Sequence, residues 1–146
     1  MTLLFKKHHP NAQIPTKVGE FEVGFDLTVI KLVKTIGKKT CMYDTCISVQ
    51  APLGYYTEIV PRSSIVKTGY MLSNSVGIID PSYRGTLKIC LTKIDESLPD
   101  LNLPFTKVQL IVRKFHSEIK GVESKSLSLT KRGAGGFGST DLYTGC

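Results

Sequence analysis

Residues Phe21, Val23, Phe25, Leu27 and Val29 alternate with Glu22, Gly24, Asp26 and Thr28, and a period of two is the mark of extended chain with one face buried. The same alternation returns at Ile47, Val49 and Ala51, before Pro52 and Gly54 turn the chain. Tyr55 to Val60 reads as a further strand closed by Pro61, and Leu87, Ile89 and Leu91 alternate against Thr86, Lys88, Cys90 and Thr92. In a late strand Val108, Leu110 and Val112 share one face, with Ile111 and Phe115 on the other. No long segment repeats apolar residues at i, i+3, i+4 and i+7, the pattern that an amphipathic helix needs. Ser63 to Thr68 fits one or two short helical turns after Pro61, and Asp95 to Pro104 reads as a loop. Short strands separated by turn signals predict an all-β sandwich, jelly roll or small barrel.

The 146 residues suit one domain, and no internal repeat or boundary divides them. Residues 1–20, with Pro10, Pro15 and Gly19, read as an extended N-terminal arm. Residues 116–146 are rich in Ser, Lys and Gly and lack apolar periodicity, so they read as a C-terminal arm that stays mobile until something holds it. Nineteen basic against twelve acidic side chains leave a net charge of +7, compatible with nucleic acid, a membrane surface, a polyphosphate or no anionic partner at all. Cysteines 41, 46, 90 and 146 form no CxxC pair, and His8, His9 and His116 form no HExxH-like cluster. A zinc site is therefore not expected. TLLF is too short for a signal-peptide core, and no apolar run approaches the roughly 18 residues of a membrane span. The expectation is an intracellular protein, cytoplasmic or nuclear, with reduced thiols and no membrane partner.

The C-terminal arm carries Arg132-Gly-Ala-Gly-Gly-Phe137-Gly138-Ser139-Thr140. Glycines let successive backbone N–H groups turn toward a phosphate, and Arg132, Ser139 and Thr140 add charge and hydroxyl donors. Phe137 inserts a flat ring among these groups, which suggests a nucleotide with its base stacked there. Gly133, Gly135 and Gly138 spell GxGxxG, but only eight residues follow, too few for the helix and strand of a dinucleotide fold. Ser139 stands where a P-loop needs lysine.

Farther upstream lie Pro61-Arg62-Ser63-Ser64 and Asn74-Ser-Val-Gly77-Ile78-Ile79-Asp80-Pro-Ser-Tyr83-Arg-Gly85. Taken alone, Asp80 reads as a turn former before Pro81, Tyr83 as a packing residue and Arg62 as a surface cation. Their order and combination change that. With Val23-Gly-Phe-Asp26-Leu27 before them and Arg132 to Thr140 after them, the chain resembles the trimeric dUTPase family over residues 23 to 140. The stretch from Gly77 to Gly85 and the tail motif are the most specific. The chain departs from the pattern in three places, the first being Val23, where alanine more often precedes the glycine. Pro104-Phe-Thr-Lys-Val-Gln109-Leu110 keeps only Gln and Leu of the usual Gly-Asp-Arg-Ile-Ala-Gln-Leu, and Asp141 replaces a glycine that often follows the tail motif.

The resemblance implies a jelly-roll or distorted β-barrel with a mobile Gly-rich arm, and a homotrimer whose active sites are each built from three subunits. It implies an enzyme that hydrolyses dUTP to dUMP and pyrophosphate with Mg²⁺, limiting uracil in DNA and supplying dUMP for thymidylate synthesis. Asp80 would be the general base. Asn74 and the backbone of Gly77, Ile78 and Ile79 would read the uracil edge, with Tyr83 under the sugar. Arg62, Ser63, Ser64, Gln109, Arg132, Gly138, Ser139 and Thr140 would hold phosphates, and Phe137 would cap the base. Asp26 would reach the magnesium ion only through its water shell, since phosphate oxygens carry most of the coordination. A nucleotide-binding regulator without turnover, and a dCTP deaminase of the same broad fold, are the competing readings. The intact Asp80, Tyr83 and Phe137 speak against the first, and the tail with Phe137 against the second or a bifunctional relative of it. A single-stranded nucleic-acid barrel would need aromatics spaced along a groove, and none are so spaced.

Overall fold

The computed structural model describes residues 1–141; the end of the C-terminal arm, with Cys146, lies outside the described residues. Ten strands are found among them: β1 (Leu4–Lys7), β2 (Phe25–Val29), β3 (Lys31–Ile36), β4 (Thr40–Asp44), β5 (Ile47–Gln50), β6 (Tyr55–Pro61), β7 (Tyr70–Leu72), β8 (Gly77–Ile79), β9 (Lys88–Lys93) and β10 (Phe105–Lys114). A short 3-10 helix, Ser63–Lys67, follows β6. Two four-stranded antiparallel sheets, ordered β2-β10-β6-β8 and β3-β4-β9-β7, make the body, and β1 pairs with β5 in a third, two-stranded sheet. The fold is all-β, and the sheets do not close on one another. No helix of the described residues is long and apolar enough to cross a membrane.

Both four-stranded sheets feed one core. Leu27, Val29, Ile59, Val108 and Leu110 enter it from one sheet and Tyr43, Leu72, Ile89 and Leu91 from the other. Leu27, Ile59, Ile89, Leu91 and Leu110 are fully buried, each contributing about 1.5–3 kcal/mol relative to exposure. Burial first, then the neighbouring Cys41 thiol and Tyr70 phenol, push the Tyr43 phenol up to about 12. β10 is the spine of its sheet: β2 lies along one side and β6 along the other. That arrangement explains the alternation of Val108 and Leu110 with Gln109, which faces outward together with Asp26 and Val60. On the same outer face the Tyr56 hydroxyl donates to Glu58 Oε1 at 2.6 Å and Arg113 Nε to Oε2 at 3.2 Å. The Tyr56 bond foremost, and the Arg113 contact with it, hold the Glu58 carboxyl below its ordinary 4.5.

Two expectations need correction. The first strand does not begin at Phe21: Phe21 and Val23 are 94% and 73% exposed, and β2 starts at Phe25. The Gly19–Glu22 turn and the Asp26 N–H bond to Thr16 carbonyl at 2.8 Å bend the preceding chain off the sheet. Nor are residues 1–20 simply an arm, because Leu4–Lys7 pairs with β5. The 95–104 loop is observed between β9 and β10, as is the short helix after Pro61.

Candidate active site

The pairing of β10 with both neighbours gathers one group of predicted residues. Gln109 stands opposite Asp26 on one side and Val60 on the other, and Val108 stands opposite Pro61. Asp26, Arg62, Ser63 and Gln109 therefore line one recess of about 210 Å³, with Val18, Glu22, Val23 and Gly24. The Arg62 side chain is held on two sides, with Nε 3.1 Å from Asp26 Oδ1 and Nη1 donating to Thr106 carbonyl at 3.1 Å. Its backbone N–H is bound to Lys107 carbonyl at 2.9 Å. Gln109 Nε2 donates to Pro61 carbonyl at 3.1 Å. Gly24 lies directly beneath it: a Cβ there would come within 2.7 Å of the Gln109 amide carbon, so any larger residue would make that side chain move. The first turn of the 3-10 helix carries no acidic residue; the carboxylates of the recess are Glu22 and Asp26, the latter paired with Arg62. Lys107 Nζ lies 3.5 Å from Ser64 Oγ, a cation that sequence reasoning passed over. Its signal was present: Lys107 is two residues from Gln109 on the same strand, hence on the same face.

A second group forms at the opposite margin of the sheet. β8 is the outermost strand, with Gly77 opposite Ile59, Ile78 opposite Glu58 and Ile79 opposite Thr57. Its other edge has no strand beside it among the described residues, leaving backbone donors and acceptors free to read a planar polar edge. Asn74 sits in the turn before it, where Val76 N–H bonds the Asn74 carbonyl at 2.6 Å. A Cβ on Gly77 would press on Ile59 at 3.3 Å and stand 3.6 Å from Asn74 Nδ2, so glycine keeps the space beside the amide open. Beyond Ile79 the chain turns. Tyr83 N–H bonds the Asp80 carbonyl at 3.0 Å, Arg84 Nη1 donates to the carbonyls of Pro81 at 2.6 Å and Tyr83 at 3.0 Å, and the Tyr83 hydroxyl donates to Thr86 carbonyl at 2.9 Å. Ile78, Ile79, Asp80, Tyr83, Thr86 and Lys88 surround a recess of about 210 Å³. Asp80 is exposed at its rim. Lys88, which was not anticipated, is shared with Thr86 Oγ1 at 3.0 Å and Asp44 at 3.8 Å.

The third group is the tail. Each hydrogen bond found for residues 116–141 has both partners inside that segment. Arg132 Nε donates to Gly135 carbonyl at 2.9 Å and Gly135 N–H returns to Arg132 carbonyl at 3.1 Å, closing a small ring of backbone. Ser139 and Asp141 N–H groups bond Gly136 and Gly138 carbonyls. Phe137 is fully exposed, at φ 51°.

One chain does not bring the three groups together. Asp80 follows Ile79 and so stands level with Tyr56, five residues short of Pro61 along β6. At about 3.4 Å per residue the separation is roughly 17 Å along the strand. Asp80 and Arg62 are thus at different ends of one sheet, and the tail reaches neither.

Comparison with known proteins adds an independent line. A family model described as dUTPase matches residues 10–141. The deoxyuridine 5'-triphosphate nucleotidohydrolase of Picosynechococcus sp. is 34% identical over 142 residues, covering 96% of this chain and 99% of that one. Among solved structures, a variant of the dUTPase of Staphylococcus bacteriophage 80alpha with dUpNHpp superposes with a TM-score of 0.74 at 22% identity, over 95% of this chain and 98% of the other. A dUTPase variant from phage phi11 of S. aureus, described with a structural Mg(II) ion, superposes with a TM-score of 0.68 at 20% identity, over 86% of this chain and 100% of the other. The two structural likenesses bear on the fold.

Proposed function

This chain belongs to the dUTPase family, and from that membership we propose that it hydrolyses dUTP to dUMP and pyrophosphate in sites shared among three copies. It is a dUTP diphosphatase. The observation that carries the shared site is the separation of its parts. The cationic corner at Arg62 and Ser63, the turn at Asp80 and the Gly-rich tail are each locally ordered by their own hydrogen bonds, yet they stand apart in the single chain. Each is an incomplete site. A closed ring of three copies lets one copy's corner face another's turn, with a third copy's tail lying across both.

In this reading the outer edge of β8 and Asn74 pair with the uracil, and backbone donors fixed in a sheet reject a base whose carbonyl is replaced by an amine. Tyr83, tied to Thr86 carbonyl, supports the sugar. Arg62, Ser63, Ser64 and Gln109 hold phosphates, and Lys107 beside Ser64 adds a charge on the side where the usual Asp-Arg pair is missing. Asp80 orients a water, takes its proton and directs its oxygen at the α-phosphorus. The bond to the bridging oxygen breaks and pyrophosphate leaves. The tail then supplies Arg132, Gly138, Ser139 and Thr140 to the phosphates and Phe137 to the base, excluding bulk water.

Among the described residues no three His, Cys, Asp or Glu side chains converge. Asp26, paired with Arg62, and Asp80 are single carboxylates and not a cluster, a set that suits a hard cation taking most of its ligands from phosphate and water. Mg²⁺ fits such a site, with Asp26 at its water shell, and when bound it neutralises charge on the leaving pyrophosphate. Cys41, Cys46 and Cys90 are free thiols, which accords with an intracellular location, cytoplasmic or nuclear.

The test is pyrophosphate release from dUTP, dCTP, dTTP and UTP with Mg²⁺, measured side by side. dUTP should be favoured at least about a hundredfold in kcat/KM, and comparable rates on all four would defeat the uracil reading. The shared site has its own test. An Asp80→Asn chain and a chain cut after Thr130, each poorly active alone, should regain activity when their subunits are mixed and exchanged. Exchange without recovery would place the whole site within one copy.

A further inference from the structure

The turn that carries Asp80 and Tyr83 is held from an unexpected direction. β1 runs antiparallel to β5 with Lys6 opposite Ser48, and the His8 N–H bonds the Cys46 carbonyl at 2.9 Å. This pairing brings the His8 ring over β5, with Nε2 2.8 Å from Ser48 Oγ. Ser48 is buried, and its hydroxyl donates to the Arg84 carbonyl at 2.9 Å. A serine hydroxyl has one proton, and a carbonyl oxygen accepts only. The Ser48 proton is therefore committed to Arg84, and His8 Nε2 must be the donor in its own bond to Ser48.

The Arg84 carbonyl is a strategic point. From the same residue the guanidinium reaches back to the carbonyls of Pro81 and Tyr83. Just beyond it, Thr86 Oγ1 donates to Asp44 Oδ2 at 2.8 Å, and Leu87 N–H bonds the Ile47 carbonyl at 2.8 Å. The exit of the turn is fastened to the β4–β5 segment, while its crest at Arg84 is fastened by Ser48 alone of the side chains in that segment. We propose that His8 is a positioning residue for this turn, acting through the Ser48 hydroxyl on the Arg84 carbonyl, so that the N-terminal strand sets the place of Asp80 and Tyr83. The proposal rests on the role given above to those two residues. Neither His8 nor Ser48 belongs to the motifs from which the site was read, and neither touches the nucleotide in it.

The test compares His8→Ala, His8→Gln, Ser48→Ala and the double variant His8→Ala/Ser48→Ala. Two readouts are taken: kcat/KM on dUTP, and amide hydrogen exchange at Tyr83 in the free protein, whose N–H closes the turn on the Asp80 carbonyl. A net hydrogen bond of ordinary strength corresponds to about three- to tenfold. His8→Ala should lower kcat/KM and speed Tyr83 exchange by about that factor. His8→Gln, whose Nε2 also donates, should recover both to within about twofold. Because the two side chains act in series, the double variant should be no worse than Ser48→Ala. Nitrogen NMR of the histidine should show a proton on Nε2 in the resting protein. Unchanged exchange in His8→Ala, no recovery with His8→Gln, or additive effects in the double variant would overturn the proposal. Should Asp80→Asn prove fully active, the general-base role given to Asp80 fails, and Tyr83 exchange still decides whether His8 anchors the turn.

Discussion

The turn from Asp80 to Leu87 and the tail from Arg132 to Thr140 each hold part of one of the chain's two most specific motifs, yet they are built in opposite ways. The turn is tied to three other parts of the fold: β4 through Asp44, the loop after it through Thr45, and β5 through Ile47 and Ser48. The tail is tied only to itself, and Ile119, Val122, Leu127, Leu129 and Phe137 all stand exposed. In the function proposed above, this difference would divide the work of binding. Entropy lost in ordering the turn is offset during folding, so the turn would meet a ligand already shaped. Ordering of the tail would be deferred to closure, which would cost affinity but let the site open for product release.

The sharpest way to break this contrast is Asp80→Asn, which keeps the side chain's size and leaves the turn's backbone bonds in place. With the general base gone, kcat should fall by about 10²–10⁴, while calorimetric binding of a non-hydrolysable dUTP analogue stays near the wild-type value. Full turnover in a folded variant would reduce Asp80 to a turn former. Cutting the chain after Thr130 probes the other half. Loss of two or more charged phosphate contacts should cost about 10²–10³ in kcat/KM, with thermal stability and assembly unchanged, because none of the described residues removed belongs to the core. A truncated chain that hydrolyses dUTP at the full rate would leave the tail without a role.

A pair of identical substitutions compares the two regions directly. A Cβ on Gly85 would come within 3.0 Å of the Tyr83 ring, whereas one on Gly136 meets nothing within 4 Å. Gly85→Ala should therefore destabilise the fold by about 1–3 kcal/mol as Tyr83 is displaced, and Gly136→Ala by less than about 0.5 kcal/mol. Equal losses in denaturant titrations would mean that the tail is packed after all. The smallest effect concerns acid. Glu58 faces Ile78 of β8 across the sheet, and its carboxyl is held below 4.5, chiefly by the Tyr56 hydroxyl and also by Arg113. A depressed carboxyl contributes stability above its unfolded value, and that contribution is lost as pH falls through the folded one. Glu58→Gln should thus narrow its stability gap from the wild type as pH drops below about 4.5, and a gap constant with pH would remove Glu58 from the support of β8.

How far each region was legible follows from the range of its determinants. The alternation at Leu87, Ile89 and Leu91 and at Val108 and Leu110 is local and strong, and the strands are where it placed them. β3 escaped notice because Lys31–Ile36 is exposed throughout, so it carries no burial alternation to see. Phe21 and Val23 failed in the other direction. They continue the pattern of β2, but the Thr16 bond to Asp26 ends the sheet before them. At the site, Arg62, Asp26 and Gln109 were named separately from motifs, and the recess that joins them appears only once β10 is paired on both sides. Lys88 and His8 lay outside every motif, and Lys107 sat at a position where the divergent stretch before Gln109 no longer matches the pattern. Their relevance comes from the neighbours they acquire in the fold.

By itself the sequence determined the all-β class, the motifs around Asp80 and the chemistry that the tail is suited to, because side-chain period, turn formers and donor types are properties of neighbouring residues. Only the tertiary structure decided where β2 begins, that Arg62 is braced by Asp26, that Asp80 lies far along the sheet from Arg62, and that the N-terminal strand grips the turn through His8 and Ser48. Each of these is a pairing between segments distant in the chain, and the choice among such pairings is made by register and burial across the whole sheet.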